Sequence, residues 1–191
     1  MNDLNVLPAE ISEESILAWR IWKADAEPRG ITSNDIVYRL GSFAKWAKWP
    51  PKTKLEARCL ALRSAKDRNV SLVVEGFNHE VPDALCNCGI YGMRTKEVLA
   101  NYLANKEYNL GHPWTVVQQD SRGIIPPKIM GCTVFGRVSL WGEIIEGEDG
   151  YRAQYAYPYD LTVLADDKRI AASLREQYQV DVRIEIPQAQ H

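Results

Sequence analysis

The stretch 79-HEVPDALCNCGIYG-92 holds two cysteines one residue apart, seven residues after one of only three histidines, and then turns at Gly89. A structural zinc site draws its four ligands from thiolate and imidazole, and three cysteines with one histidine form one of its standard sets. Cys86 and Cys88 supply half of such a set, and His79 is close enough to fold back across Pro82. Glycine after the pair lets the backbone turn so that amides approach the sulfurs. The remaining ligand must come from elsewhere, from Cys59 or, as a substitute, Cys132. The spacing C-x19-H-x6-C-x-C is not the commoner C-x-x-C knuckle and needs a tighter bend.

Three chemistries fit these residues. Zinc on Cys59, His79, Cys86 and Cys88 is the leading one, and inert thiols packed in a core or loop are its close rival. A catalytic thiol is the third. It needs a depressed pKa and a base within reach, which His79 or His112 would supply to Cys86 or Cys88. No Asn or Asp stands out to orient that base, and no nucleophile signature is present.

A second group of residues suits ligand recognition. In 42-SFAKWAKWPPKTK-54, Trp46 and Trp49 interleave with Lys45, Lys48, Lys52 and Lys54, a pattern that serves base stacking plus phosphate contact. The rival reading has the tryptophans plugging the core while the lysines stay in water. In 150-GYRAQYAYP-158, alternation puts Tyr151, Ala153, Tyr155 and Tyr157 on one face and Arg152 with Gln154 on the other. A guanidinium stays charged, so Arg152 must meet an acid or an anion, and Glu143 on the preceding strand is its expected partner. Trp141, Arg152 and Tyr155 are the ligand candidates here.

The elements that must position these groups follow from periodicity. The segment 15–24 alternates Leu17, Trp19 and Ile21 against Ala18 and Arg20 and reads as a strand, with a helix from Ser12 as its rival; 25–35 reads as a loop and 36–40 as a second strand. A strand over 54–62 puts Leu55, Ala57 and Cys59 on one inward face, and an apolar run occupies 70–77. Thr95 caps a helix over 95–106, followed by a long connection through 107–130. The strongest strand signal is 133–164, broken by a turn at 146-EGEDG-150. An amphipathic helix over 167–180 and a strand over 180–186 close the chain.

At 191 residues and net charge -2, the chain can bury a sizeable core but generates no global positive field for a phosphate backbone. No apolar run approaches the roughly eighteen residues of a membrane span, and MNDLNVLPAE lacks a signal peptide's regions. A cytoplasmic protein with reduced thiols and no membrane partner is expected. Residues 1–15 read as an arm and 16–191 as a single domain. The fold class is α+β and β-rich, a small barrel or strongly bent sheet with two or three helices.

The blocks C-x-C-G-I-Y, G-x-V-x-L-W-G (Gly136 to Gly142) and G-Y-R-A-x-x-A-Y-P (Gly150 to Pro158) resemble those of a group of small uncharacterised bacterial proteins. That group also carries an A-x-C strand like 57-ARC-59 and a histidine like His79, and the likeness runs over roughly residues 16 to 182. Gly89 to Leu164 also resembles the PUA and ASCH-type barrels, which implies a cleft that binds RNA or reads modified bases. The expected role is a binding module for a nucleotide, a base or a nucleic-acid segment. The alternatives are a zinc- or thiol-dependent hydrolase centred on Cys86 or Cys88, and a phage or mobile-element inhibitor that acts on a protein partner.

Overall fold

The structure is a computed structural model and describes residues 14–29, 36–42, 47–65, 70–75, 79–104, 114–116, 119–120, 123–124 and 128–186. Its strands, in chain order, are β1 (Ile16–Pro28), β2 (Ile36–Ser42), β3 (Leu55–Glu56), β4 (Leu60–Ala65), β5 (Val70–Glu75) and β6 (Ile90–Met93). Helix α1 (Lys96–Ala104) precedes the short β7 (Trp114–Val116), β8 (Gln119–Asp120) and β9 (Gly123–Ile124). Then come β10 (Lys128–Glu146), β11 (Gly150–Pro158), β12 (Asp160–Val163), α2 (Lys168–Tyr178) and β13 (Asp181–Ile184). Nine strands form one bent, mixed sheet, and β4–β5 and β8–β9 form two smaller ones. The fold is the strand-rich α+β class expected. Residues 1–13 of the expected arm lie outside the described residues.

The bend comes from β10, which is long enough to serve both of its edges. Residues 131–140 pair with β1, and residues 138–146 pair with β11 on the opposite edge. Strand β6 pairs with both β1 and β11, so β10, β1, β6 and β11 form a closed circuit. Small residues let the circuit close. A side chain at Gly92 would place its Cβ 2.6 Å from that of Ala18 and 3.0 Å from Leu140 Cδ1. Ala18, Val138, Leu140, Ala153 and Ala156 are fully buried around it.

Both faces of β1 are used, which corrects the simple alternation. Ala18, Trp22 and Ala24 enter the main core, whereas Trp19 and Ile21 pack with Leu99 and Phe135 in a second cluster. Strand β1 also continues to Pro28 through the segment expected to be loop, because β2 pairs along it from Trp22 to Pro28. Along 107–130, expected to be a plain connection, the described residues include β7, β8 and β9.

Helix α2 buries Ile170, Ala171, Leu174 and Tyr178, and Asp167 caps it by accepting the Arg169 N–H. Its last tyrosine reaches the segment after β2. Tyr178 Oη donates to the Trp49 carbonyl at 2.8 Å and accepts the Leu40 N–H at 2.9 Å. Tyr157 Oη donates to the Tyr178 carbonyl at 2.9 Å and accepts the Lys52 N–H at 3.0 Å. Two buried hydroxyls thereby pin the chain between β2 and β3, where the aromatic and basic residues had suggested a ligand loop.

Candidate metal centre

Cys59 does not ride on a strand as expected. Strand β3 ends at Glu56, the Ala57 N–H makes a last bond to the Gln154 carbonyl at 2.8 Å, and β4 begins only at Leu60. In that break Cys59 is free of a ladder and meets the loop before β6. The loop is built locally: Asp83 Oδ1 accepts the Leu85 N–H at 2.7 Å, and the Asp83 carbonyl accepts the Cys86 N–H at 3.2 Å. Gly89 then adopts φ 114°, which L side chains rarely reach, and delivers the chain into β6.

One ligand atom each from Cys59, His79, Cys86 and Cys88 lies within 4.8 Å of all the others. These four residues are close enough together to hold a metal ion. Cys59 Sγ and Cys86 Sγ are 3.7 Å apart. A disulfide needs about 2.05 Å, whereas two sulfurs bound tetrahedrally at about 2.3 Å to one ion sit about 3.8 Å apart. The spacing excludes a disulfide and is compatible with co-ligands of one ion. Cys88 is buried, and Cys59 and Cys86 are half-buried.

His79 is oriented for the same task. Its Nδ1 lies 2.6 Å from the Glu80 carbonyl, so that nitrogen carries the proton and donates. Nε2 is left with its lone pair, buried and without a hydrogen-bond partner. A metal-binding imidazole is held in this way, with its other ring nitrogen donating to a carbonyl. The contact with the Glu80 carbonyl, and after it the nearby Cys86, raises the pKa of the ring. Burial pushes the Cys86 thiol up, but the neighbouring Cys59, His79 and Cys88 outweigh it and hold the thiol below its ordinary value. Burial raises Cys88.

Arg152 closes the site from beneath. Its Nη1 donates to the carbonyls of Asp83 at 3.2 Å and Cys88 at 3.1 Å, and also to that of Cys86. The expected Arg152–Glu143 pair does not form among the described residues. The register slips between Trp141 and Ile144, so Gly142 and Glu143 together face Gln154, and Arg152 stands opposite Ile145. Three thiolates around a dication would leave one net negative charge, which the guanidinium would offset.

The other ligand candidates are placed in structural surroundings. Trp49 is 1% exposed and meets Trp22 edge-on at 5.5 Å. Trp141 is buried, Tyr155 lies 4.1 Å beneath the Lys54 ammonium, and Lys48 pairs with Glu27. Lys45, Trp46 and His112 lie outside the described residues. Cys132 is sealed in the core with its thiol pushed up to about 12 by burial, and is not a ligand.

One feature escaped the sequence. A groove of about 260 Å³ opens beside α1, lined by Trp19, Lys96, Phe135, Asp160, Thr162 and Arg183 among others. Trp19 and Phe135 stack at 6.5 Å, and Lys96 Nζ stands 4.8 Å over the Phe135 ring. The only hint was Trp19 on the face of β1 opposite the alanines; Phe135 and Lys96 come from distant segments. Asp160 on its wall is neutralised by Arg137, whose Nε donates to it at 2.7 Å. No protein-family model, curated protein or solved structure matches the chain.

Proposed function

We propose that the chain is a cytoplasmic binding module for a nucleotide, a base or a short nucleic-acid segment, and that Cys59, His79, Cys86 and Cys88 hold a structural zinc ion. The zinc assignment rests on the His79 geometry: a proton fixed on Nδ1 and a buried, unpartnered Nε2 beside three cysteine sulfurs. Sulfur and imidazole ligands in a four-membered set favour zinc and leave no open position for a reacting water, which speaks for a clasp over a hydrolase. The kinship with PUA-like barrels is part of the same proposal, supported by the closed circuit of β10, β1, β6 and β11.

Ligand recognition rests on one observation, the stacked Trp19–Phe135 pair with Lys96 above it and Arg183 in the groove wall. Aromatic faces take any base by stacking, and the cations suit a phosphate. No helix among the described residues is long and apolar enough to cross a membrane.

Two measurements test the proposal. Protein purified without added metal or a histidine tag should carry one zinc per chain. A metal-free chain with one unusually reactive thiol would instead favour the thiol enzyme. Titration of tryptophan fluorescence with nucleoside monophosphates and short single-stranded oligonucleotides should show saturable binding. Trp19→Ala should weaken it by about 1–3 kcal/mol, the worth of one stacked base. Unchanged affinity removes the groove from the account.

A further inference from the structure

We propose that Arg20, Ser42 and the Trp49 indole form a binding site for a phosphate-type oxyanion, separate from the groove. The reason is an imbalance of charge and donors. Arg29, Arg94, Arg137 and Arg169 each meet a carboxylate oxygen within 2.8 Å. Arg20 meets none. Its Nη1 donates to the Tyr91 carbonyl and its Nη2 to Ser42 Oγ at 3.1 Å, both neutral acceptors. Its Nε is buried with no partner among the described residues. Burial pulls its pKa down to about 10 with no carboxylate to oppose the fall, so the group is still charged at neutral pH.

Ser42 adds to the imbalance. Its Oγ accepts from Arg20 and, at 3.2 Å, from Trp49 Nε1, so both lone pairs are engaged. Its own O–H has no acceptor among the described residues, and it points to neither of those donors. The guanidinium lies 5.1 Å over the Trp49 ring, which holds it flat. Two of the five N–H groups of Arg20 are used, and the Ser42 proton is unused. The cluster therefore offers donors and positive charge but no acceptor. The complementary ligand is one that only accepts and is negative. A tetrahedral phosphate has enough oxygens to meet an arginine fork and a hydroxyl together, whereas a carboxylate has two.

The topology explains why no neighbouring strand among the described residues supplies Arg20 with a carboxylate. Strand β1 pairs with β6 at Trp19↔Met93 and with β2 only from Trp22↔Ser42 onward. Arg20 sits in the notch where one partner has ended and the next has not begun. A buried charge left uncompensated is costly, and an anion seated there removes the cost. The inference does not depend on the nucleotide reading, because Trp19 and Arg20 project from opposite faces of β1 and the groove can fail while the notch holds.

The test uses the full chain and inorganic phosphate at ionic strength matched with sodium chloride. Phosphate should raise the unfolding temperature saturably and shift the Arg20 Nε–Hε cross-peak in a nitrogen–proton NMR spectrum. Acetate should do so more weakly. Arg20→Gln should lose about tenfold or more in phosphate affinity, the scale of a charged hydrogen bond, and Ser42→Ala should lose less. If Arg20→Gln does not fold, the wild-type cross-peak and Ser42→Ala decide. No saturable effect in the wild type, or an equal effect in Arg20→Gln, overturns the site. Acetate binding as well as phosphate overturns the phosphate assignment.

Discussion

A single guanidinium nitrogen of Arg152 lies 3.1 Å from the carbonyl oxygen of Cys88, and the same nitrogen reaches the carbonyls of Asp83 and Cys86. Arg152 belongs to β11, a wall of the closed circuit, so this contact ties the cysteine loop to the rigid sheet. Shortening the side chain releases three backbone acceptors at once. Arg152→Ala should lower zinc affinity by about 10–100-fold, the usual cost of losing a group that orients metal ligands. Competition with a chromophoric chelator measures it. Arg152→Lys should recover part of the loss, since an ammonium keeps the charge but not the fork.

Chelation should unmask three thiols and leave the fourth protected. Cys59, Cys86 and Cys88 converge, whereas Cys132 is fully buried between strands. Titration with a disulfide reagent should count three fast thiols after chelator is added, and a fourth only in denaturant. Four fast thiols would show that the core opens when the metal leaves.

Closure of the circuit predicts a paired effect at Gly92 and Ala18. Gly92→Ala puts a methyl 2.6 Å from the Ala18 Cβ, and overpacking of this kind costs about 1–3 kcal/mol. Ala18→Gly in the same chain should recover a measurable share of the stability in urea unfolding. Purely additive losses would mean that the two residues do not meet.

Acid should weaken the start of α2. The Arg169 side chain bonds the Asp167 carboxyl, burial opposes it, and the Arg169 N–H adds to the bond, with the net result a pKa below the usual carboxylate range. A lowered folded-state value means the contribution is complete above the unfolded-state pKa and is lost as pH falls through the folded-state one. Asp167→Ala should cost about 1 kcal/mol near neutral pH, as lost caps do. The variant's stability should also fall less steeply in acid than the wild type's. Parallel acid limbs would exclude Asp167 as a source of that pH dependence.

Much of the candidate site was legible because its parts are neighbours in the chain. Cys86, Asn87, Cys88 and Gly89 are consecutive, and His79 lies only a short loop away. The cap of the first helix was equally local: Thr95 Oγ1 accepts the Val98 N–H at 3.2 Å. Partnerships across the sheet were less legible. Glu143 looked like the mate of Arg152 until one bulge at Gly142 shifted the register. The tryptophans of 42–54 fitted either a stacking surface or a core plug, and only the fold shows that Trp49 fills the core against Trp22.

What the sequence alone determined is the inventory: ligand types for a four-membered metal set, strands by alternation, helices by caps and stripe. Those depend on residues a few positions apart, whose interactions are present in any chain that carries them. The tertiary structure alone decided which distant groups meet. Cys59 joins the set because β3 breaks where it does, Arg152 turns to the loop because β10 bulges, and Arg20 meets no carboxylate among the described residues because β1 changes partners beside it. Each depends on strand register over tens of residues, and a slip of one position reverses the face on which every later side chain lies.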